Sequence, residues 1–148
     1  MHIGVRQPRV RALLARLLRA GLRAVDPANA IHRHVRRARA LLQVGRLRYD
    51  LRDYSRVVAV GAGKASARMG AALEDVLESR LDGGLVVVKY GHAVPTKTIK
   101  VAEAGHPVPD QAGQRAAARV VEFVRGLTSN DLLFVLLSGG ASSLLPAP

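Results

Sequence analysis

The chain has 148 residues, 49% of them apolar, which is enough to bury the core of one globular domain and excludes a disordered polar segment. It contains no cysteine, so a disulfide framework, a cysteine-ligated zinc site and a cysteine nucleophile are all excluded. The net charge of +12 is uneven, because residues 1–56 carry 14 arginines against 3 acidic residues while residues 57–148 are nearly neutral.

The basic segment, residues 1–56, has two interpretations. An arginine-rich surface can bind nucleic acid or another anionic partner. Two amphipathic helices with solvated arginine faces would give the same composition. We favour the helices, because no aromatic residue lies among the arginines before Tyr49. A non-enzymatic nucleic-acid binder acting through this segment is kept as an alternative function.

Residues 9–45 are predicted to be helical. Apolar residues recur at helical spacing from Val10 to Val25, which indicates a first amphipathic helix. Asp26 is the expected N-cap of a second helix, with Pro27 at its first position and Gly45 at its end. The apolar stripe of this second helix consists of Ile31, Val35, Ala38 and Leu42.

Residues 47–148 show the pattern of an α/β fold. Alternating polarity over residues 47–51 predicts a short edge strand or hairpin. Further strands are predicted at residues 57–60, 85–89, 98–104 and 132–137, and helices follow the first and third of these. Strand, glycine turn, helix and strand in this order predict a Rossmann-like parallel sheet flanked by helices. Two basic amphipathic helices precede it.

The last predicted strand is followed by a glycine-rich loop, residues 138–143. We expect no helix after this loop, because too few residues remain before Pro148 to cover the sheet. The chain is therefore expected to be the N-terminal part of a longer protein, with an incomplete first domain. Its longest apolar run, residues 132–137, is too short to span a membrane, and no signal peptide is evident. A cytoplasmic location without a membrane partner is predicted.

The first candidate binding loop, G-A-G-K-A-S, covers residues 61–66. It lacks the spacing of a Walker A loop, and Ser66 replaces the third glycine of a dinucleotide fingerprint. Gly61 and Gly63 would let a ligand approach the backbone, the helix start would offer N–H groups, and Lys64 would add a charge. We therefore predict anion binding here, with Gly61, Gly63 and Ser66 as ligand-binding residues beside Lys64. A tight turn with an exposed lysine is the alternative.

The second candidate loop, S-G-G-A-S-S, follows the last strand and would form a nest for phosphate. Its predicted ligand-binding residues are Ser138, Gly139, Gly140, Ser142 and Ser143. A flexible turn is the alternative interpretation.

His106 and Asp110 lie between these loops in the sequence, after the third strand of the predicted parallel sheet. Either residue could act as a general base or bind a metal ion, but residues in such positions more often form turns or cap helices. No metal-ligand set is assigned from the sequence.

Taken together, these motifs resemble the MOFRL-type glycerate kinases, the glycerate 2-kinase family. The stretches that carry the resemblance are VVAVGAGKASARMG, GGLVVVKYGHAVP, EAGHPVPDQAG and LLSGGASSLLPAP. LRAVDP and RYDL in the N-terminal part match as well, so the resemblance covers most of the chain.

This resemblance implies phosphorylation of D-glycerate to 2-phosphoglycerate with ATP and Mg²⁺. It also implies a second, smaller domain, with the active site in the cleft between the two domains. The lysine that the family uses in catalysis corresponds to Lys64, and the family's serine-glycine loop corresponds to residues 138–142. The arginine that the family pairs with this lysine lies outside the sequence, so the chain alone is expected to be inactive.

Two other enzyme classes share some of these sequence features. An NAD(P)H-dependent hydroxypyruvate reductase could use Lys89 to bind a 2′-phosphate, but the third glycine of the fingerprint is missing. A sugar-phosphate isomerase-type binding domain can contain a similar G-x-G-K-S loop, but the segments GHPVPD and SGGAS fit it poorly.

Overall fold

A computed structural model describes residues 7–147. Its helices are α1 (Pro8–Ala24), α2 (Pro27–His34), α3 (Ser66–Leu77), α4 (Gln111–Arg125) and α5 (Ala141–Leu144). Its strands are β1 (Val35–Ala38), β2 (Leu41–Val44), β3 (Leu47–Asp50), β4 (Arg56–Ala62), β5 (Gly83–Lys89), β6 (Ile99–Ala104) and β7 (Asp131–Leu137). Two short 3-10 turns span Leu51–Asp53 and Glu78–Arg80.

The larger sheet is parallel and has the strand order β6-β5-β4-β7. Val60 of β4 pairs with Leu85 on one side and with Val135 on the other, which fixes the register at the middle of the sheet. The predicted parallel α/β architecture is confirmed. All four strands run in the same direction, so their carboxyl ends and the loops that follow them meet at one edge.

Helices cover both faces of this sheet. On one face α3 packs through Leu73 and Leu77, which are fully buried together with Val57 and Val86 of the sheet. On the other face α4 and the one-turn helix α5 pack against the sheet, and Leu144 is fully buried there. The predicted loop of residues 138–143 is partly helical, because the single turn α5 begins directly after its two glycines.

A second, antiparallel sheet has the order β1-β2-β3. The prediction of one helix from Pro27 to Gly45 is wrong beyond His34, where the chain changes from helix α2 to strand β1. The start of that helix is correct, because the Asp26 carboxylate accepts a hydrogen bond from the N–H of Asn29 at 2.9 Å. The predicted edge strand over residues 47–51 is present as β3.

The helical prediction fails here because both a helix and a β-hairpin place Val35 and Leu42 on one side of the chain. Seven residues are two helical turns, but in the hairpin Val35 pairs with Val44 and Leu42 pairs with Arg37. All four of these residues therefore lie on the same face of the sheet, and Val35 and Leu42 are buried against α3. The turn between β1 and β2 includes Arg39 with a φ of 55°, a conformation that a continuous helix does not allow.

The described ends of the chain expose apolar side chains. The predicted helix α1 is present, but its large apolar residues from Val10 to Leu22 are all exposed. In β7, at the edge of the parallel sheet, Val135 and Leu137 are 56% and 59% exposed and only Leu136 is buried. Within residues 7–147, no helix has the length and apolarity needed to cross a bilayer.

Candidate active site

The two predicted binding loops lie side by side at the carboxyl edge of the parallel sheet. The N–H of Lys64 donates to the carbonyl of Gly139 at 3.1 Å, and the N–H of Ala65 donates to the hydroxyl of Ser138 at 3.0 Å. The N–H of Ser138 in turn donates to the carbonyl of Ala62 at 3.0 Å. The loops after β4 and β7 are therefore joined into one structure, although more than 70 residues separate them.

The glycines of the first loop permit this close contact. Gly63 has a φ of +125°, and a Cβ at this position would lie 2.2 Å from the hydroxyl of Ser138. A Cβ on Gly61 would lie 2.3 Å from the carbonyl oxygen of Leu136. Any side chain here would separate the two loops, so both glycines are required for packing.

The backbone N–H groups of residues 63–66 are not available to a ligand. Each N–H from residue 63 to residue 66 donates within the chain, those of Gly63 and Ser66 to the carbonyls of Val87 and Gly63. Ser66 is also fully buried, and its hydroxyl donates to the carbonyl of Leu136 at 3.0 Å. Its side chain joins α3 to β7 and cannot reach a ligand. Lys64 is the one residue of this loop that presents a charged side chain to solvent.

The second loop keeps unused donors. In the described part of the chain, the N–H groups of Gly139 and Gly140 donate to no protein acceptor, and Gly140 has a φ of +94°. Ser142 is exposed, whereas the hydroxyl of Ser143 donates to the carbonyl of Gly140 at 3.1 Å and stabilises the loop. We call residues 138–142 the serine-glycine cradle. It has the free backbone donors expected of an anion site.

His106 packs against this cradle. A Cβ on Gly140 would lie 2.6 Å from two atoms of the His106 ring, so glycine is needed for the ring to fit. Burial lowers the pKa of His106 below its ordinary value, and the positive charges of Lys64 and Lys89 lower it further. The structure thus places the imidazole of His106, the cradle and Lys64 together.

Asp110 has a structural role. Its carboxylate caps α4 by accepting from the N–H of Gly113 at 2.9 Å, and it accepts from the hydroxyl of Tyr90 at 2.8 Å. These hydrogen bonds lower the pKa of Asp110, because they favour the carboxylate over the acid. Of the two roles that the sequence left open for Asp110, helix capping is the one observed.

A pocket beside Lys64 was not predicted. It has a volume of about 480 Å³ and lies between Pro27, the first turn of α3 and the loop of residues 91–94. Arg68 and His92 line it together with Lys64, and His92 Nδ1 lies 3.2 Å from the Lys64 carbonyl oxygen. The sequence held a signal for Arg68, because it is a basic residue only four positions after Lys64 and in the first turn of the predicted helix.

The structural role of Glu74 was also not predicted from the sequence. It lies on α3, is 6% exposed, and accepts hydrogen bonds from the N–H groups of Lys97, Thr98 and Ile99. These residues follow the pocket-lining segment and lead into β6. A glutamate on a predicted amphipathic helix is ordinarily solvated, so the sequence contains no signal for this contact.

The sequence matches the protein family described as a domain of unknown function, DUF4147, over residues 13–148. The chain belongs to the DUF4147 family. A glycerate 2-kinase from Pyrococcus horikoshii is 32% identical to this DUF4147 chain over 139 residues, covering 94% of the chain and 31% of that relative. A relative from Agrobacterium vitis, provisionally named a hydroxypyruvate reductase, is 39% identical over 138 residues, covering 93% and 28%.

The fold of the DUF4147 chain also matches a solved structure. The crystal structure of a glycerate kinase from Thermotoga maritima gives a TM-score of 0.73 at 34% identity, covering 93% of the chain and 30% of that structure. The resemblance to the glycerate kinase family and the expected fold are confirmed. The DUF4147 chain spans less than a third of the length of each of these relatives.

Proposed function

We propose that the chain forms part of the active site of a glycerate 2-kinase, which transfers the γ-phosphoryl group of ATP to the 2-hydroxyl of D-glycerate. The observation that carries this proposal is the junction of the two loops. This junction brings the unused N–H groups of Gly139 and Gly140 next to the loop that carries the charged side chain of Lys64. Phosphoryl transfer depends mainly on positioning and on stabilising negative charge, and these groups supply both.

Lys64 is the proposed catalytic residue. It is exposed, and no carboxylate of the described residues forms an ion pair with it, so its ammonium group is free to bind a phosphoryl oxygen. In the reaction, the substrate hydroxyl oxygen bonds to the γ-phosphorus while the bond from that phosphorus to the bridging oxygen breaks. ADP leaves with the electron pair of that bond. Lys64 would stabilise the charge on the transferring group.

His106 is the proposed acceptor for the proton of the substrate hydroxyl. It lies against Gly140 in the cradle, and its lowered pKa keeps the imidazole neutral, as a base must be. Asp110 is not assigned this role, because both of its described interactions are structural.

The cradle fits the phosphates of ATP, because glycine N–H groups without protein acceptors are suited to phosphate oxygens. Mg²⁺ is expected with the nucleotide, where it would neutralise part of the negative charge of the phosphates. Within residues 7–147, no group of three or more histidine and acidic side chains is arranged to hold a metal ion. We therefore assign none of these residues to Mg²⁺.

The test replaces Lys64 with alanine in the complete product of the gene and measures ADP release that depends on D-glycerate. We expect turnover to fall at least about 100-fold. Lys100→Ala is the matched control, because Lys100 is exposed on β6 and is expected to have no effect. A loss of less than about tenfold, or 1.4 kcal/mol of barrier, would contradict a catalytic role for Lys64. ³¹P NMR of the product distinguishes 2-phosphoglycerate from 3-phosphoglycerate.

Hydroxypyruvate reduction with NAD(P)H is the second candidate, supported by the name of the Agrobacterium vitis relative. Ser66 stands where a dinucleotide fingerprint has its third glycine, and the N–H groups of residues 63–66 in the turn before α3 are already used within the chain. An absorbance change at the nicotinamide wavelength with hydroxypyruvate would favour this function over the kinase.

A further inference from the structure

The pocket beside Lys64 is distinct from the serine-glycine cradle. It is bounded by Pro27, by Lys64 and Ala65 just before α3, by Arg68 in the first turn of α3, and by residues 91–94. None of residues 138–142 lines it. Lys64 is shared between the two places, because its backbone contacts Gly139 while its residue also lines the pocket. A group held in this pocket would therefore lie beside a group held in the cradle.

The lining of the pocket is basic. It includes Lys64, Arg68 and His92, and none of its lining residues is acidic. The nearest ion-pair partner of Arg68 is Asp26, whose Oδ2 is 3.8 Å from Nη1, too far for a hydrogen bond. The Arg68 side chain is 62% exposed, and an exposed pair at this distance stabilises little. The guanidinium is thus free to turn toward an anion.

The carboxylate of a small acid is the ligand that this arrangement suits. A guanidinium binds a carboxylate through two parallel hydrogen bonds, a geometry that lysine cannot supply. A pocket of about 480 Å³ is ample for a three-carbon acid. An uncharged alcohol would fit sterically but would leave both cations unpaired.

We infer that Arg68 is a specificity-determining residue that binds the carboxylate of the acceptor substrate, with Lys64 between this carboxylate and the phosphates on the cradle. The inference rests on the proposed kinase function, and it deepens that function by assigning the two anionic groups to different sites. It also explains why the acceptor substrate would be an acid rather than an alcohol, because the cationic side chain of Arg68 on α3 would bind the carboxylate of the acceptor.

The test uses Arg68→Gln and Arg68→Lys in the complete gene product, with Arg36→Gln as the matched control at an exposed arginine on β1. Arg68→Gln is expected to raise the KM for D-glycerate at least about tenfold and to leave the KM for ATP within about twofold. Arg68→Lys should lie between Arg68→Gln and wild type. The preference for glycerate over glycerol, measured as the ratio of kcat/KM values, should fall in Arg68→Gln. A rise in the KM for ATP alone, or no change in either KM, would overturn the inference.

A direct measurement of D-glycerate binding distinguishes a failure of this inference from a failure of the proposed function. If the wild-type protein phosphorylates glycerate and Arg68→Gln behaves like wild type, the kinase function stands and the inference fails. If the wild type has no kinase activity, titration calorimetry with D-glycerate still tests Arg68. Binding that Arg68→Gln abolishes would support the carboxylate site, and no binding by wild type would overturn it. Thermal unfolding of Arg68→Gln at the same temperature as wild type would show that the variant is folded.

Discussion

Glu74 offers a demanding test of how the pocket loop is held. Its Oε2 accepts from the N–H of Lys97 at 2.8 Å, and its Oε1 accepts from the N–H groups of Thr98 and Ile99 at 2.7 Å each. Glu74 thereby fastens the end of the loop that lines the pocket to helix α3. Glu74→Ala removes all three acceptor contacts at once.

The expected loss can be worked out from these contacts. A hydrogen bond to a charged group contributes about 1.5–3 kcal/mol, and a buried donor left without a partner costs about 1–3 kcal/mol. Ile99 is buried, so its N–H loses its partner outright, whereas water can reach the N–H groups of the more exposed Lys97 and Thr98. We therefore expect Glu74→Ala to lower the free energy of unfolding by about 3–5 kcal/mol. Glu74→Gln should lose about 1–3 kcal/mol, because its amide oxygen can still accept from two of the three donors.

The measurement is equilibrium unfolding in urea at pH 7, followed by circular dichroism. Asp75→Ala is the control, because Asp75 is the exposed neighbour on the same helix, and it should change the free energy of unfolding by no more than about 0.5 kcal/mol. A loss below about 1 kcal/mol for Glu74→Ala would refute the reasoning, since the three short contacts would then contribute no more than solvated ones.

Three other outcomes are expected. Arg56 at the start of β4 holds the pKa of Asp131 well below its usual value. The ion pair of Arg56 and Asp131 therefore stabilises the fold above about pH 4, and it stabilises the fold less as the pH falls. The free energies of unfolding of wild type and Asp131→Asn should thus differ by a constant amount above about pH 5 and become equal in acid. A difference in free energy that does not change with pH would contradict this. In NMR titrations, Lys64→Ala should raise the pKa of His106 but leave it below the ordinary value, because burial remains; no rise would contradict the proximity of the two residues. Gly63→Ala should destabilise the chain by at least about 2 kcal/mol, whereas Gly21→Ala, in the open on α1, should be neutral or stabilising.

The parallel sheet could be predicted because its signals are local. An unbroken apolar run ending in glycine, then a helix with one apolar side, indicates a βαβ unit within about 30 residues. The N-caps Asp26 and Asp110 could likewise be predicted, because a cap depends only on the next three residues.

The sheet β1-β2-β3 could not be predicted in the same way. Val35 and Leu42 satisfy both a helical and a hairpin spacing, so the local pattern does not distinguish the two structures. The choice depends on burial against α3, whose residues lie more than 20 positions further along the chain. Tertiary packing overrode the local preference for helix.

The sequence by itself determined the chemistry of the candidate site: a lysine after one strand, a serine-glycine loop after another, and the common edge at which both occur. Only the tertiary structure decided which groups are free to act. Ser138 and Gly139 accept from the N–H groups of Ala65 and Lys64, and Leu136 accepts from the buried hydroxyl of Ser66, while the N–H groups of Gly139 and Gly140 stay unused. Whether a backbone donor is free depends on what packs against it, and here that partner lies more than 70 residues away.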